Sequence, residues 1–274
     1  STFDGTKVEM RELTRFKHPQ IPISGHIFWD LPQLFNEIVT SLKKVAAEGI
    51  EINSIGIDTW GVDFAFFGKD GQLLGLPHCY RDQYTNGAME RFFNESMPSK
   101  EVYERTGIQF MEFNSLFQMD CLRREGCTAF EQADKILFMP DALIYMLTGK
   151  AICEYTIAST SQILNPNTGD LDEALLGKLG LRRDERLGEL LRVDAERERR
   201  AAVQVEAETD LLRRRIADVK RDDGDQRQHK PLPDVIPGNV LFSHLNRSSF
   251  LRFEWTLYQN MPSHRNIPKI PENT

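Results

Sequence analysis

The stretch Ser54-Ile55-Gly56-Ile57-Asp58-Thr59-Trp60-Gly61-Val62-Asp63-Phe64 decides how the rest of the chain is read. Ile55 and Ile57 alternate on a period of two, and so do Val62 and Phe64, so the stretch reads as strand, polar turn and second strand. Between the apolar ends lie two carboxylates, a hydroxyl, an indole and a glycine. On spacing alone the simplest reading is a β-hairpin with polar turn residues. The pattern also fits the end of a strand in an open α/β sheet, where ligands bind. Gly61 has no Cβ, so a substrate could approach the backbone there.

Upstream, Lys7 to Phe16 is strand-like and half exposed, and Gly25 to Trp29 is a second short strand. Asp30 reads as a helix N-cap with Gln33 in the capping-box position. Apolar residues at 31, 34, 35, 38, 39, 42, 45 and 46 keep helical spacing, and Gly49 closes the helix. Downstream, Lys69-Asp70-Gly71 makes a turn and Leu73 to Leu76 pairs back. The first 80 residues therefore read as an α/β unit around a mixed sheet.

Pro77 to Asn86 is a loop that gathers Tyr80, Arg81, Asp82, Thr85 and Asn86; the ordinary fate of adjacent Arg81 and Asp82 is a solvated surface pair. Short helices follow over Gly87 to Ser96, Ser99 to Arg105 with Ser99 as cap, and from Asn114 or Ser115 to Arg124. Asp141 is read as the cap of a helix from Ala142 to Leu147. Asn165 to Asp170 is a turn, and Asp172 caps a helix to Leu179 that stops at Gly180.

Beyond Leu181 the texture changes. From Arg182 to Lys230 roughly half the residues are charged, in near-equal signs, which suits a solvated helix or disorder. No aromatic residue occurs between Tyr155 and Phe242. The reading is three segments: a domain over 1–181, a charged segment over 182–230 and an irregular tail over 231–274. Such a break is what an out-of-frame reading or a misjoined segment produces; a lineage-specific tail is the alternative.

Composition narrows the function classes. The net charge of −7 gives no global attraction to nucleic acid or anionic membrane. The cysteines at 79, 121, 127 and 153 form no C-x-x-C pair, and no histidine lies at zinc-finger spacing. Reduced thiols in a cytoplasmic protein are the expectation, with no apolar run of transmembrane length and no signal peptide.

Five motifs carry a resemblance: GIDTWGVDF at 56–64, LPHCYRDQYTNG at 76–87, GIQFMEFNSLFQM at 107–119, MPDALIYMLTGK at 139–150 and EYTIASTSQILNPNTGDLD at 154–172. In order and spacing the chain resembles the N-terminal domain of rhamnulokinases, members of the FGGY carbohydrate kinases with an actin-like, ribonuclease-H-like fold. The resemblance implies an α/β domain with a mixed sheet and flanking helices. It implies transfer of the γ-phosphoryl of ATP, with Mg²⁺, to the 1-hydroxyl of L-rhamnulose, with a small-molecule sugar as partner. It places Gly61 against the substrate, with Thr59, Trp60 and Asp63 around it, and puts Arg81, Asp82 and Asn114 near the sugar. The residue-level alternatives are that Trp60 only walls the pocket, that Asp63 braces the turn, and that Thr156, Thr160 and Gln162 organise their loop.

The resemblance also marks what is not found. The family's phosphate-gripping first strand and turn would precede Ser1, and its adenosine-binding second domain has no counterpart here. Its base lies in a Ser-His-Asp-Thr-Ala-like motif, but Ser243-His244 is followed by Leu245 and Ser263-His264 by Arg265. No catalytic base, phosphate-binding residue or metal ligand is therefore assigned, and low activity is expected of these residues alone. Other readings are an FGGY kinase for xylulose, fuculose or a polyol, and a non-catalytic sugar-binding or interaction fragment.

Overall fold

The computed structural model describes residues 2–3, 6–50, 52, 54–182, 186–191 and 251–253. In chain order the strands and helices are β1 (Thr2–Phe3), β2 (Val8–Glu9), β3 (Gln20–Ile23), β4 (His26–Trp29), α1 (Leu31–Ala47), β5 (Ile55–Ile57), β6 (Phe64–Phe67), a 3₁₀ turn (Gln83–Thr85), α2 (Ala88–Glu95), α3 (Ser99–Thr106), α4 (Ser115–Arg124), α5 (Thr128–Gln132), β7 (Lys135–Phe138), α6 (Met139–Thr148), β8 (Ile152–Glu154), α7 (Tyr155–Ala158), β9 (Leu164–Asn165), β10 (Asp170–Leu171), α8 (Glu173–Lys178), β11 (Glu189–Leu191) and β12 (Leu251–Phe253). The strands pair two by two in both senses. The β1–β2, β3–β4, β6–β7 and β9–β10 pairs are antiparallel, and β8–β11 and β5–β12 are parallel.

The β6–β7 pair is the wall between two cores. Every residue of Phe64-Ala65-Phe66-Phe67 is buried. Phe64 and Phe66, with Ile136 and Phe138, face the core built on α2, α3, α4, α5 and α8. Ala65, Phe67 and Leu137 face the core under α1 and α6. A strand covered on both faces reads as a continuous apolar run rather than an alternation, and each buried phenylalanine contributes roughly 1.5–3 kcal/mol. The layering is helix, strand pair, helix, the α/β class expected.

Helix α1 forms for the reasons its sequence gives. Asp30 accepts a hydrogen bond from Gln33 N at 2.9 Å, and Pro32 occupies the first turn, where a missing N–H costs nothing. Leu31, Leu34, Ile38 and Val45 form its buried stripe.

Several expectations change. The opening stretch is not a hairpin: β5 pairs with β12 and β6 with β7, so the residues between them cross from one pair to another. Of Lys7 to Phe16 only Val8–Glu9 is strand; residues 10–19 take no regular form. The return after the Lys69–Gly71 turn is one bridge, Phe67 to Leu73. Pro98, not Ser99, caps α3, and α3 has no side-chain capping hydrogen bond. Asp141 lies inside the first turn of α6, buried, while Phe138 is the cap. Burial pushes the Asp141 carboxyl up to about 8, against its hydrogen bonds from Glu154 N.

Packing continues past Leu181. Ile136 N donates to Arg186 O at 2.8 Å, Leu187 is buried, and β11 runs parallel to β8. The readings for the rest of 182–230 and 231–274, other than β12, fall outside the described residues. Among the described residues no helix is long and apolar enough to cross a membrane.

Candidate functional site

The segment Asp58 to Asp63 joins the end of β5 to the start of β6, and Met139 N donates to Asp63 O at 3.1 Å. Asp63 is wholly buried and gathers four donors. Its Oδ2 accepts from Trp29 Nε1 at 2.6 Å, Trp60 Nε1 at 2.9 Å and Tyr80 N at 3.1 Å; its Oδ1 accepts from Gln118 Nε2 at 2.9 Å. These bonds tie β4, the 58–63 loop, the 77–86 loop and α4 together. Burial among neutral donors still dominates, pushing the carboxyl up to about 6. The bracing role weighed for Asp63 matches this geometry, and neither oxygen faces solvent.

The next residue back, Val62, takes φ +68°, a conformation that costs a β-branched residue strain. Its backbone is held at both ends. Val62 N donates to Thr160 Oγ1 at 3.0 Å, and Val62 O accepts from Ser115 Oγ at 2.5 Å. Gly61 sits against the same threonine. A Cβ built on Gly61 would lie 2.9 Å from Thr160 Oγ1 and 3.0 Å from Thr160 Cβ. The glycine is thus required by the approach of Thr160, whatever a substrate needs.

Trp60 stands at the edge of this assembly, 4.4 Å from Trp29 between ring centroids, and His18 stacks on Trp29 at 5.2 Å. Thr59 Oγ1 donates to Trp60 O at 3.2 Å. Beside them a recess of about 20 Å³, roughly one water in size, is lined by Leu34, Ile38, Ile57, Asp58, Thr59, Trp60 and Leu143. Asp58 is exposed there.

Arg81 and Asp82 do not form the surface pair expected of neighbours. Arg81 is exposed, its guanidinium 5.0 Å from the Tyr80 ring centroid. Asp82 turns inward, where it accepts from Ile27 N, from Tyr84 N at 2.9 Å and from His26 Nδ1 at 3.2 Å. Burial holds the adjacent His78 down at about 4, against the pull of Asp82.

Asn114 is buried, so it does not present its amide to solvent. It donates to Gln109 O at 3.0 Å and Gln162 Oε1 at 2.6 Å; Gln162 in turn donates to Thr106 Oγ1 at 2.8 Å. Gln162 ties the 155–162 segment to the 107–114 loop through Asn114 and Ile108 O, while Thr160 ties it to the 58–63 loop through Val62 N.

The structure thus brings Thr59, Trp60, Gly61 and Asp63 to one place with the 77–86 loop. It sets Arg81 on the surface and Asp82 and Asn114 behind it. Trp29, Gln118, Ser115, Tyr80 and Thr160 belong to the assembly and were not picked out as site residues. Gln118 and Thr160 lay inside quoted motifs, but an amide or hydroxyl gives no periodic signal until its partner is known.

The family model for the N-terminal domain of the FGGY family of carbohydrate kinases matches residues 5–209, across all of these elements and past Leu181. The chain belongs to the FGGY family of carbohydrate kinases. A rhamnulokinase from Bacteroides thetaiotaomicron is 54% identical over 177 residues, covering 65% of this chain and 36% of that protein. One from Mannheimia succiniciproducens is 41% identical over 175 residues, covering 64% of this chain and 36% of that protein. Gluconate kinase from Lactobacillus acidophilus superposes with TM-score 0.58 at 20% identity, over 64% of this chain and 36% of that one, a likeness of fold. This FGGY chain spans 36% of the length of the two curated relatives. Carbohydrate kinases of the FGGY family use ATP.

Proposed function

We propose that this chain is the sugar-facing part of a rhamnulokinase, which moves the γ-phosphoryl group of ATP to the 1-hydroxyl of L-rhamnulose in the cytoplasm. The observation that carries the reading is the identity to two rhamnulokinases, 54% over 177 residues and 41% over 175 residues. Phosphoryl transfer asks a protein chiefly for position and charge neutralisation. Thr59, Trp60 and Gly61 supply a fixed turn for the sugar, and exposed Arg81 supplies donors for its hydroxyls. Asp63, Asp82 and Asn114 act one step back, holding that surface in place.

Mg²⁺ accompanies ATP in such chemistry, held by one or two carboxylates and the phosphates, whose charge it neutralises. Asp58, exposed at the end of β5, is a donor of the right kind. Asp63 is not, because both its oxygens already accept N–H groups and it is buried.

The test is a coupled assay with ATP, Mg²⁺ and a sugar panel on a protein of the relatives' full length that carries this segment. L-Rhamnulose should turn over at roughly 1–100 s⁻¹, ahead of xylulose and fuculose. A higher kcat/KM for another sugar overturns the substrate. Sugar binding without turnover of any sugar points instead to a binding module.

A further inference from the structure

Outside the Asp63 assembly, three side chains with metal-ligating atoms converge. His26 starts β4, and His78 and Asp82 lie at i and i+4 on the 77–86 loop. Their ligand atoms all fall within 4.8 Å of one another. His26 Nδ1 is 3.2 Å from Asp82 Oδ2, and His78 Nδ1 is 3.9 Å from the same oxygen. His78 Nδ1 is buried and makes no hydrogen bond among the described residues.

We propose that His26, His78 and Asp82 form a site for a divalent transition metal of the Zn²⁺ type, which clips the 77–86 loop to β4. Two imidazoles and one carboxylate are a donor set that such ions take, with remaining positions filled by water. Bonds of about 2.0–2.2 Å in tetrahedral geometry set ligand atoms about 3.3–3.5 Å apart. The His26–Asp82 edge already has about that length, and the His78–Asp82 edge must close by about 0.5 Å. The third edge, between the two imidazoles, lies within 4.8 Å and closes as His26 turns: its side chain is 40% exposed, against 16% for His78.

The surrounding bonds do what outer-shell groups do in metal sites. Ile27 N and Tyr84 N fix the Asp82 carboxylate, and Phe28 and Tyr84 flank the His78 ring at 4.5 and 4.6 Å between centroids. Metal would take over the contact that His26 now makes to Asp82. It would also satisfy the buried nitrogen of His78, which otherwise loses its water with no replacement. The consequence is mechanical. Tyr80 and Arg81 lie between the two loop ligands, so a metal clip fixes the span that presents Arg81. The clip stands or falls independently of which sugar the protein takes.

The experiment uses the full 274-residue chain, reduced and stripped with a chelator. It is titrated with Zn²⁺ by calorimetry, then examined by X-ray absorption at the zinc edge. One Zn²⁺ per chain is expected, with two imidazoles and oxygen-only remaining ligands. H26Q and H78Q each remove an imidazole ligand and should weaken binding by at least about a hundredfold, the upper end of the cost of losing an outer-shell partner, with circular dichroism confirming that both fold. Absence of a saturable site overturns the proposal, as does unchanged affinity in the folded variants. Sulfur in the coordination shell also overturns it, since that places the ion on the cysteines. If a variant does not fold, the absorption spectrum of the parent chain decides alone.

Discussion

The 58–63 and 77–86 loops use one device with opposite results. Each is anchored by a buried carboxylate that collects N–H groups from distant parts of the chain. Asp63 meets only neutral donors, two indoles, an amide and a backbone N–H, and both of its oxygens are engaged. Asp82 meets backbone N–H groups and two imidazoles, one of them with an unsatisfied nitrogen. The first loop is closed and its tolerance for change is small. The second is closed at its root and open at its tip, where Arg81 reaches solvent. On the proposed reading the two serve different ends: a fixed turn to place a sugar and a charged side chain free to reach it.

The largest effect that would break this contrast is on Asp63. Asp63→Ala takes the acceptor from Trp29 Nε1, Trp60 Nε1 and Tyr80 N and one of the bonds of Gln118 Nε2, and should destabilise the chain by about 3–5 kcal/mol in urea unfolding. A cost below about 1 kcal/mol would mean that the four bonds do not anchor the loop. The pH response comes next. The folded-state pKa of Asp63, about 6, lies above the ordinary value of 3.8, so the folded state holds the extra proton. Its contribution is complete below about pH 4 and is lost as pH rises through about 6, by up to about 3 kcal/mol. Asp63→Asn removes that slope; stability curves of parent and variant running parallel from pH 4 to 7 would contradict it.

Asp82→Ala leaves Ile27 N and Tyr84 N without their acceptor but frees surface-side groups that water can reach. A loss of about 1–3 kcal/mol is expected, less than for Asp63→Ala. Gly61→Ala presses a methyl group into Thr160 and should cost about 1–3 kcal/mol, since the threonine is itself tied to Val62 N. The smallest stability effect belongs to Arg81→Ala. Thermal unfolding should move by no more than about 0.5 kcal/mol, while KM for the sugar rises in the full-length enzyme. Unchanged KM would remove Arg81 from the sugar surface.

Much of this molecule is legible along the chain. The spacing of Leu31, Leu34 and Ile38 gives α1 because helix periodicity is local. Asp30 and Asp172 announce their helices because a cap bonds only two or three residues onward. The apolar run Phe64–Phe67 marks a strand covered on both faces. The Thr-Trp-Gly-Val-Asp turn was recognisable from its motif, and with it the family.

Tertiary structure decided what those residues do. Ile55–Ile57 and Phe64–Phe67 look like the two arms of a hairpin, because alternation reports which residues are strand and not which strand they pair with. Asp141 has the sequence of a cap and the surroundings of a core residue. Gly61 is required by a threonine 99 positions later in the chain, and Asp63 by partners at 29, 80 and 118. Burial and hydrogen-bond partners across such separations depend on how the layers stack. Local propensity therefore names the polar turn, while the fold determines that its carboxylate looks inward and Arg81 looks out.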